Sequence, residues 1–161
     1  RRGPMTVIAI DPGSTNSGVV SWSGERVLAC GILPNNEVIP WVADQLRAIT
    51  HGEASVGVEM IASYGMAVGA EVFDTCVWIG RFRQQLDDMG VPNDPVFRGD
   101  VKVHLCGTKR AKDPNVRQAL IDRLGKPGTK KNPGPLFGIS SHKWAALAVA
   151  VTYWDKLHNI Q

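Results

Sequence analysis

The sequence predicts a single α/β domain in which a five-stranded mixed sheet is flanked by helices. The first observation is size, because 161 residues, of which 43% are hydrophobic, suffice for one domain with a real core. The second is the alternation of short apolar runs with longer segments of helical periodicity. The third is that no internal repeat interrupts this alternation. We assign residues 5–161 to the domain and treat residues 1–4, which precede Met5, as an expression remnant.

The first third of the chain predicts three strands and a helix. Apolar and alternating residues indicate strands over residues 7–10, 17–23 and 26–33. The short turns between these segments predict that they pair as an antiparallel meander. Residues 38–50 then show the spacing of an amphipathic helix, which would cover one face of the meander.

The rest of the chain predicts two strands and three helices. Residues 56–60, VGVEM, form a short apolar strand, and residues 69–89 form a long helix. The inward face of that helix is predicted to carry Val72, Cys76, Ile79, Phe82 and Leu86. The remaining predictions are a fifth strand over 102–105, a helix over 115–124 with Asp113 as N-cap and Pro114 at its first position, a loop over 125–138, and a last helix capped by Ser140 or Ser141 that ends near residue 158.

Asp11 is the first candidate for chemistry. It ends an apolar strand and enters a turn formed by Pro12 and Gly13 within the segment VIAIDPGSTNSGVV. A carboxylate there is costly to bury unless it is paired or binds a cation. Three interpretations remain open: a metal-binding Asp of a ribonuclease-H-like nuclease, the phosphate loop of a sugar-kinase or actin-like ATPase, and an Asp that caps a tight turn. The ATPase interpretation is weakened, because those proteins place nucleotide between two such domains.

Glu59 is the second candidate. It is the single acid in the apolar strand VGVEM, and no basic residue is adjacent to it in sequence. An exposed acid at a strand end is the plain alternative. The apolar neighbours favour burial, and a buried carboxylate of this kind favours a metal.

Basic residues are concentrated in one part of the chain, although the net charge is only +3. Ten of the 18 Lys and Arg residues lie between residues 98 and 131, where only three acids oppose them. A solvated helix face is the ordinary explanation of such a run. Because many of these cations lie in loops rich in Gly and Pro, the pattern favours binding to a nucleic-acid backbone.

Cysteine and hydropathy patterns restrict the class of protein. Cys30, Cys76 and Cys106 are odd in number and widely spaced, which predicts reduced thiols rather than a disulfide framework. His104 and Cys106 lack a second close pair that would complete a zinc site. No apolar run reaches the roughly 20 residues that span a bilayer. We therefore expect a cytoplasmic protein without membrane association.

The predicted order of elements is that of the ribonuclease-H-like fold, which brings Asp11, Glu59 and the start of the last helix to one point. In this order the chain resembles the RuvC-type Holliday junction resolvases, most closely their bacteriophage relatives, from residue 5 to residue 155. The resemblance rests on the segments IAIDPGSTNSG, VGVEMI, VKVHLCGTKRAKDPNVRQALIDRLG and SSHKWAALAVAVTYWD. It implies a homodimeric, Mg²⁺-dependent endonuclease that cuts four-way DNA junctions. The enzyme would act in phage recombination or replication, in the cytosol of the bacterial host if the gene is phage-borne.

The resemblance also implies a metal site. Asp11 and Glu59 match the first two metal ligands of the family, and His142 matches the third. The fourth ligand would fall at Ala145, which cannot bind metal. This departure indicates either a variant that recruits water or another acid, or an inactivating substitution. Two Mg²⁺ ions, with Mn²⁺ as a substitute, are expected to support phosphodiester hydrolysis.

The same resemblance implies contacts with DNA and with a second copy of the chain. Lys112 would neutralise the phosphate in the transition state, and Tyr64 would stack on junction bases. Helix 69–89, which carries apolar residues on more than one face, would form the dimer contact. A non-catalytic junction-binding protein and a nucleotide-binding protein remain the alternatives. The predicted DNA-binding residues are Tyr64, Lys109, Arg110, Lys112, Arg117, Lys130 and Lys131.

Overall fold

Residues 3–4, 6–49 and 52–161, as described by a computed structural model, form one mixed sheet with helices on both faces. The predicted start at Met5 and the predicted helix end at residue 50 lie outside the described residues. The elements in chain order are β1 (Thr6–Asp11), β2 (Asn16–Trp22), β3 (Val27–Pro34), α1 (Asn35–Ala48), β4 (Ala54–Met60), α2 (Ala70–Asp88), β5 (Asn93–Phe97), α3 (Arg98–Cys106), α4 (Asp113–Leu124) and α5 (Lys143–Leu157).

The sheet has the strand order β3-β2-β1-β4-β5. The first three strands form the predicted antiparallel meander, whereas β4 and β5 run parallel to β1. All six residues of β1 are buried, as expected for a central strand covered on both faces. Because β1 and β4 are parallel neighbours, their carboxyl ends lie at the same edge of the sheet.

Each face of the sheet has its own hydrophobic cluster, because successive side chains of a strand point to opposite faces. Ile8 and Ile10 of β1 pack with α1 and α2 on one face. Val7 and Ala9 pack with α5 on the other face, in the same cluster as residues of α3 and α4. The middle of α5, from 146 to 153, is buried, so this helix belongs to the core. In the described part of the chain, no helix is long and apolar enough to cross a membrane.

The predicted fifth strand over residues 102–105 is wrong, because these residues lie within α3. Val101 is buried and Leu105 packs on the same cluster, and this spacing of four places both on one helical face. The fifth strand is β5 instead. Pro95 within it obscures the strand in the sequence, since proline is tolerated only in an edge strand such as β5.

Three further details correct the predictions. Cys76 is exposed on α2, because the inward face of Ile79, Phe82 and Leu86 continues toward the start of the helix through Thr75 and Val72, which are partly buried. The start of α5 has no side-chain cap; the backbone carbonyl oxygens of Ser140 and Ser141 accept the first hydrogen bonds instead. Asp113, the predicted N-cap of α4, is instead the first residue of that helix, and Lys112 is the N-cap.

A buried ion cluster joins the three helices α3, α4 and α5. Asp155 has no exposed surface, and Arg123 donates to both of its carboxylate oxygens. The Nε2 atom of His104 lies 2.6 Å from Oδ2 of Asp155. Burial alone would raise the pKa of Asp155, but the hydrogen bonds and positive charge of its two partners hold it below the ordinary value. We call Asp155, Arg123 and His104 the Asp155 cluster.

Candidate metal centre

The two predicted acids meet at the carboxyl edge of the central strands. In the register of β1 and β4, Ile10 pairs with Val58, so the next residues, Asp11 and Glu59, are neighbours. Only 9% of Asp11 and 7% of Glu59 is exposed. We call these two residues the acid pair.

The electrostatics of the acid pair favour a bound cation. Burial, a hydrogen bond with Glu59 and the negative charge of Glu59 together raise the pKa of Asp11 to about 9. Two close acids in a poorly solvated site resist ionising together, and this resistance raises the pKa of Asp11. A divalent ion on the pair would neutralise the charge of both carboxylates. The donor set, two buried carboxylates, consists of the hard oxygen ligands that Mg²⁺ and Mn²⁺ prefer.

Arg98 is the neighbour of the acid pair that the sequence analysis missed. Its Nε donates to Oε1 of Glu59 over 2.7 Å. Arg98 is the first residue of α3, immediately after β5, so it reaches the same edge of the sheet as the acids. The misplaced fifth strand concealed this position. A correct assignment of β5 would have identified Arg98, because a residue after a parallel strand reaches this edge.

His142 lies at the entrance to α5, on a groove shared with Asp11 and Arg98. The approach of this helix depends on Gly18, which pairs with Asp11 across the antiparallel strands. A Cβ at position 18 would lie 2.9 Å from the carbonyl oxygen of His142. The sequence IAIDPGSTNSG therefore provides both an acid and the space in which the last helix approaches it.

Ala145 opens onto a small cavity of about 30 Å³. Glu59, Arg98 and Asp113 also line this cavity. Asp113, the exposed first residue of α4, is the second residue that the sequence analysis did not connect with the site. Its negative charge contributes to the raised pKa of Asp11. The acid missing at position 145 thus has a neighbouring acid on a different helix.

Asp11 and Glu59 alone do not complete the set of ligands of a metal ion. Among the residues that the structure describes, no three His, Cys, Asp or Glu side chains are grouped closely enough to hold an ion. The acid pair is in contact, and His142 faces the same groove as Asp11 without joining the pair. Arg98, rather than a third acid, occupies the position against Glu59.

A larger cavity of about 760 Å³ lies beside the acid pair. Tyr64 borders it, and a Cβ at Gly99 would lie 3.2 Å from the hydroxyl oxygen of Tyr64. The charged residues that line this cavity are Asp11, Glu59, Arg98, Lys102, Lys109 and Arg110. The site therefore combines a buried negative centre with a positive wall, which suits a phosphate chain that approaches bound cations.

Other predicted DNA-binding residues lie away from this cavity. Lys112 is exposed and precedes Asp113. The guanidinium of Arg117 lies over the ring of Trp144, 5.3 Å from its centre. Lys130 and Lys131 are exposed in the loop between α4 and α5, near a bridge between Gly128 and Pro133. The structure thus gathers Tyr64, Lys109 and Arg110 around the acid pair but leaves these four cations outside.

The outer face of α2 is apolar and exposed. Phe73 and Val77 have 64% and 60% of their surfaces exposed, while Ile79 and Phe82 of the same helix are buried in the core. Single exposed apolar residues are ordinary, but Phe73 and Val77 lie one turn apart and form an exposed apolar patch. Within the described residues this surface continues into the preceding loop, where Met66 and Val68 are exposed.

Solved structures share this fold. The chain is similar to "T. thermophilus RuvC in complex with Holliday junction substrate", with 24% sequence identity, a TM-score of 0.68 and coverage of 92% of each chain. It is also similar to "Thermus thermophilus RuvC structure", with 24% identity, a TM-score of 0.65 and coverage of 94% of this chain and 95% of that chain. No protein-family model and no curated protein sequence matches the chain. The five-stranded mixed sheet with its flanking helices is therefore a ribonuclease-H-like fold.

Proposed function

We propose that the chain is a RuvC-type endonuclease that resolves four-way DNA junctions in a reaction that requires a divalent cation. The observation that carries this proposal is the acid pair beside a cavity with a basic wall. Both acids lie where parallel strands end, and the solved structure of similar fold and length was determined with a Holliday junction substrate. A phage origin and a role in recombination belong to the same proposal.

Asp11, Glu59 and His142 are the residues that would hold two divalent ions, Mg²⁺ or Mn²⁺. When bound, such ions supply Lewis-acid activation of water and stabilisation of the negative charge on the phosphate. The apolar strands around the acid pair limit its hydration, which strengthens its attraction for cations. Lys109 and Arg110 would then hold the DNA backbone along the cavity wall. Lys102 lines both cavities, so it is better placed than Lys112 to neutralise a phosphate beside Glu59.

Tyr64 would stack on an unpaired base at the junction centre, since it is an exposed aromatic residue beside the cationic wall. The exposed apolar face of α2 would form a two-fold dimer contact. A symmetric dimer carries two equivalent sites, which suits a substrate with two equivalent strands to cut. Chain mass measured by light scattering would test this assembly, and Phe73→Glu with Val77→Glu should yield monomers.

The decisive experiment compares a synthetic four-way junction, a fork and a linear duplex, each with Mg²⁺ and with EDTA. We expect cleavage of the junction only, in the presence of Mg²⁺, with paired nicks on opposite strands. Equal cleavage of the duplex would contradict structure selectivity. Cleavage in EDTA would contradict the assignment of the acid pair to cations.

A non-catalytic junction-binding protein is the second candidate, and Ala145 is the observation that favours it. Tight junction binding without nicks at any Mg²⁺ or Mn²⁺ concentration would support this candidate. In that case the chain would have the acid pair of a nuclease and bind junctions without cleaving them.

The contribution of the remote loop to DNA binding can be measured separately. Lys130→Gln with Lys131→Gln should weaken binding to all DNA forms and reduce the salt slope by roughly one for each phosphate that the variant no longer neutralises. The matched control is Arg26→Gln with Arg47→Gln, two exposed cations that lie in the turn between β2 and β3 and in α1. An unchanged slope in the loop variant would assign these lysines to the solvated surface.

A further inference from the structure

Arg98 has an unusual position for a structural arginine. It borders three openings: the large basic cavity, the small cavity at Ala145 and the groove of about 440 Å³ that contains His142. In the described part of the chain no other residue lines all three. Its guanidinium is in contact with Glu59, yet 56% of the side chain is exposed.

The local backbone does not favour a cation at this position. Arg98 begins α3, and the first turn of a helix has unpaired N–H groups and a positive partial charge. Position 98 would suit an acid. The charge of Glu59, with smaller contributions from Asp11 and Asp113, raises the pKa of Arg98 and compensates for this placement. The arginine is therefore held by the acids of the site and not by its own helix.

A divalent cation and Arg98 would compete for the same carboxylate. Glu59 accepts a hydrogen bond from Arg98 at Oε1 and lies beside Asp11 on the neighbouring parallel strand. A divalent ion on the acid pair would repel the guanidinium, whose Nε lies 2.7 Å from that carboxylate oxygen. Because the side chain is more than half exposed, it can rotate into the large cavity without unfolding α3. Lys109 and Arg110 already line that cavity, so a phosphate bound there would meet a third cation.

We propose that Arg98 is an exchangeable counter-ion, which neutralises Glu59 when no divalent cation is bound and transfers to a DNA phosphate when one binds. The inference rests on the proposed function and assigns a second step to the same site. Metal binding and DNA binding then strengthen each other, because a bound ion releases a phosphate ligand. A planar guanidinium suits both partners, since it can bind a carboxylate or a phosphate through two N–H groups.

The first arm of the test measures Mn²⁺ affinity by calorimetry on the whole chain without DNA. Removing the positive charge that competes for the carboxylate of Glu59 favours the divalent ion, so Arg98→Gln should bind Mn²⁺ about tenfold more tightly. Lys102→Gln is the matched control. Lys102 lines the large cavity and the small cavity at Ala145, as Arg98 does, but it forms no ion pair with Glu59 among the described residues. We expect a smaller change there, about twofold. Unchanged or weaker affinity in Arg98→Gln would overturn the proposal.

The second arm measures junction affinity with Ca²⁺ and with EDTA, so that binding is read without cleavage. For the parent protein we expect Ca²⁺ to strengthen junction binding. In Arg98→Gln that gain should fall several-fold, whereas Arg98→Lys, which keeps the charge, should retain part of it. An equal gain in Arg98→Gln would show that the guanidinium does not reach a phosphate.

Circular dichroism and thermal melting establish that each variant is folded, and Arg98→Met, another neutral side chain with a long stem, replaces Arg98→Gln if the latter is not. The two proposals fail differently. Metal-dependent junction cleavage with unshifted Mn²⁺ affinity in the arginine variants would reject only the exchange of Arg98. A parent protein that neither binds Mn²⁺ nor cleaves junctions would reject both.

Discussion

The acid pair and the Asp155 cluster bury carboxylates in the same domain with opposite results. Asp155 receives hydrogen bonds from Arg123 and His104, and these partners lower its pKa. Asp11 has another acid, Glu59, as its neighbour, and burial together with that acid raises the pKa of Asp11 to about 9. Arg123 joins Asp155 inside the fold, whereas Arg98 joins Glu59 at a cavity wall.

This comparison contrasts an acid that joins three helices with an acid pair that we propose binds cations. A buried charge with complete partners holds elements together and offers nothing to a ligand. A buried carboxylate beside a second carboxylate is destabilised by burial and by repulsion. A bound cation would relieve both effects, so such a site favours cation binding. The difference lies in the partners, since both sites are buried and both contain an arginine.

The largest expected effect comes from removing an acid of the pair. Asp11→Asn should reduce junction cleavage by at least about a thousandfold while junction binding is kept or strengthened, because an amide cannot balance cationic charge. Gel assays of cleavage and of binding in Ca²⁺ give the two readouts. Cleavage within a factor of a few of the parent rate would exclude Asp11 as a metal ligand.

Breaking the structural site should instead affect stability. Arg123→Met leaves Asp155 buried with only His104, and we expect the free energy of unfolding to fall by about 3 kcal/mol. Urea denaturation followed by circular dichroism measures this loss. Arg117→Met is the matched control, since Arg117 lies on the same helix with its guanidinium over Trp144. If both variants lose the same free energy of unfolding, the ion pair of Arg123 with Asp155 contributes no more to stability than Arg117 does.

The pH dependence of stability should distinguish the two sites by sign. The pKa of Asp11 is higher in the folded chain than its ordinary value of 3.8, so the folded chain binds more protons between 3.8 and about 9. In EDTA this residue therefore makes the free energy of unfolding fall as pH rises through that window. Asp155 acts oppositely, because its stabilisation is complete above 3.8 and is lost as pH falls through its lowered pKa.

Urea denaturation at several pH values, in EDTA, measures these slopes. Asp11→Asn should flatten the decline between pH 3.8 and about 9, and it should leave unchanged the loss of stability below pH 3.8 that Asp155 causes. A decline that persists in Asp11→Asn would mean that Asp11 is ionised at neutral pH, which would remove the contrast between the sites.

The smallest effect is expected at Ala145, where a new acid would test how incomplete the site is. Ala145→Asp adds a carboxylate beside Glu59 and opposite Asp113, so we expect Mg²⁺ to support cleavage at about tenfold lower concentration. Mg²⁺ titrations of junction cleavage, with melting temperatures of both proteins, measure it. Ala145→Asn is the control for volume. Lower activity with a lower melting temperature would identify Ala145 as a packing residue of α5.

The acid pair was predictable because each acid stands alone in an apolar strand. The meander, β4 and the two longest helices, α2 and α5, were predictable for a related reason. Their apolar residues repeat with the period of a strand or of a helix. β5 was not, because Asp94 and Pro95 are poor strand residues that an edge position tolerates. The alternation in VKVHLC indicated a strand, although packing of Val101 and Leu105 on the core selects a helix.

The sequence alone therefore determined the fold class and which two acids to examine, since burial of an isolated carboxylate can be read from its neighbours along the chain. The tertiary structure decided which cation faces them. Arg98 is 39 residues from Glu59 in sequence, and ten cations between residues 98 and 131 are equivalent in composition. Only the parallel register of β4 and β5 directs one of them to Glu59. Charge interactions act over a few ångströms, so their partners depend on how distant elements pack.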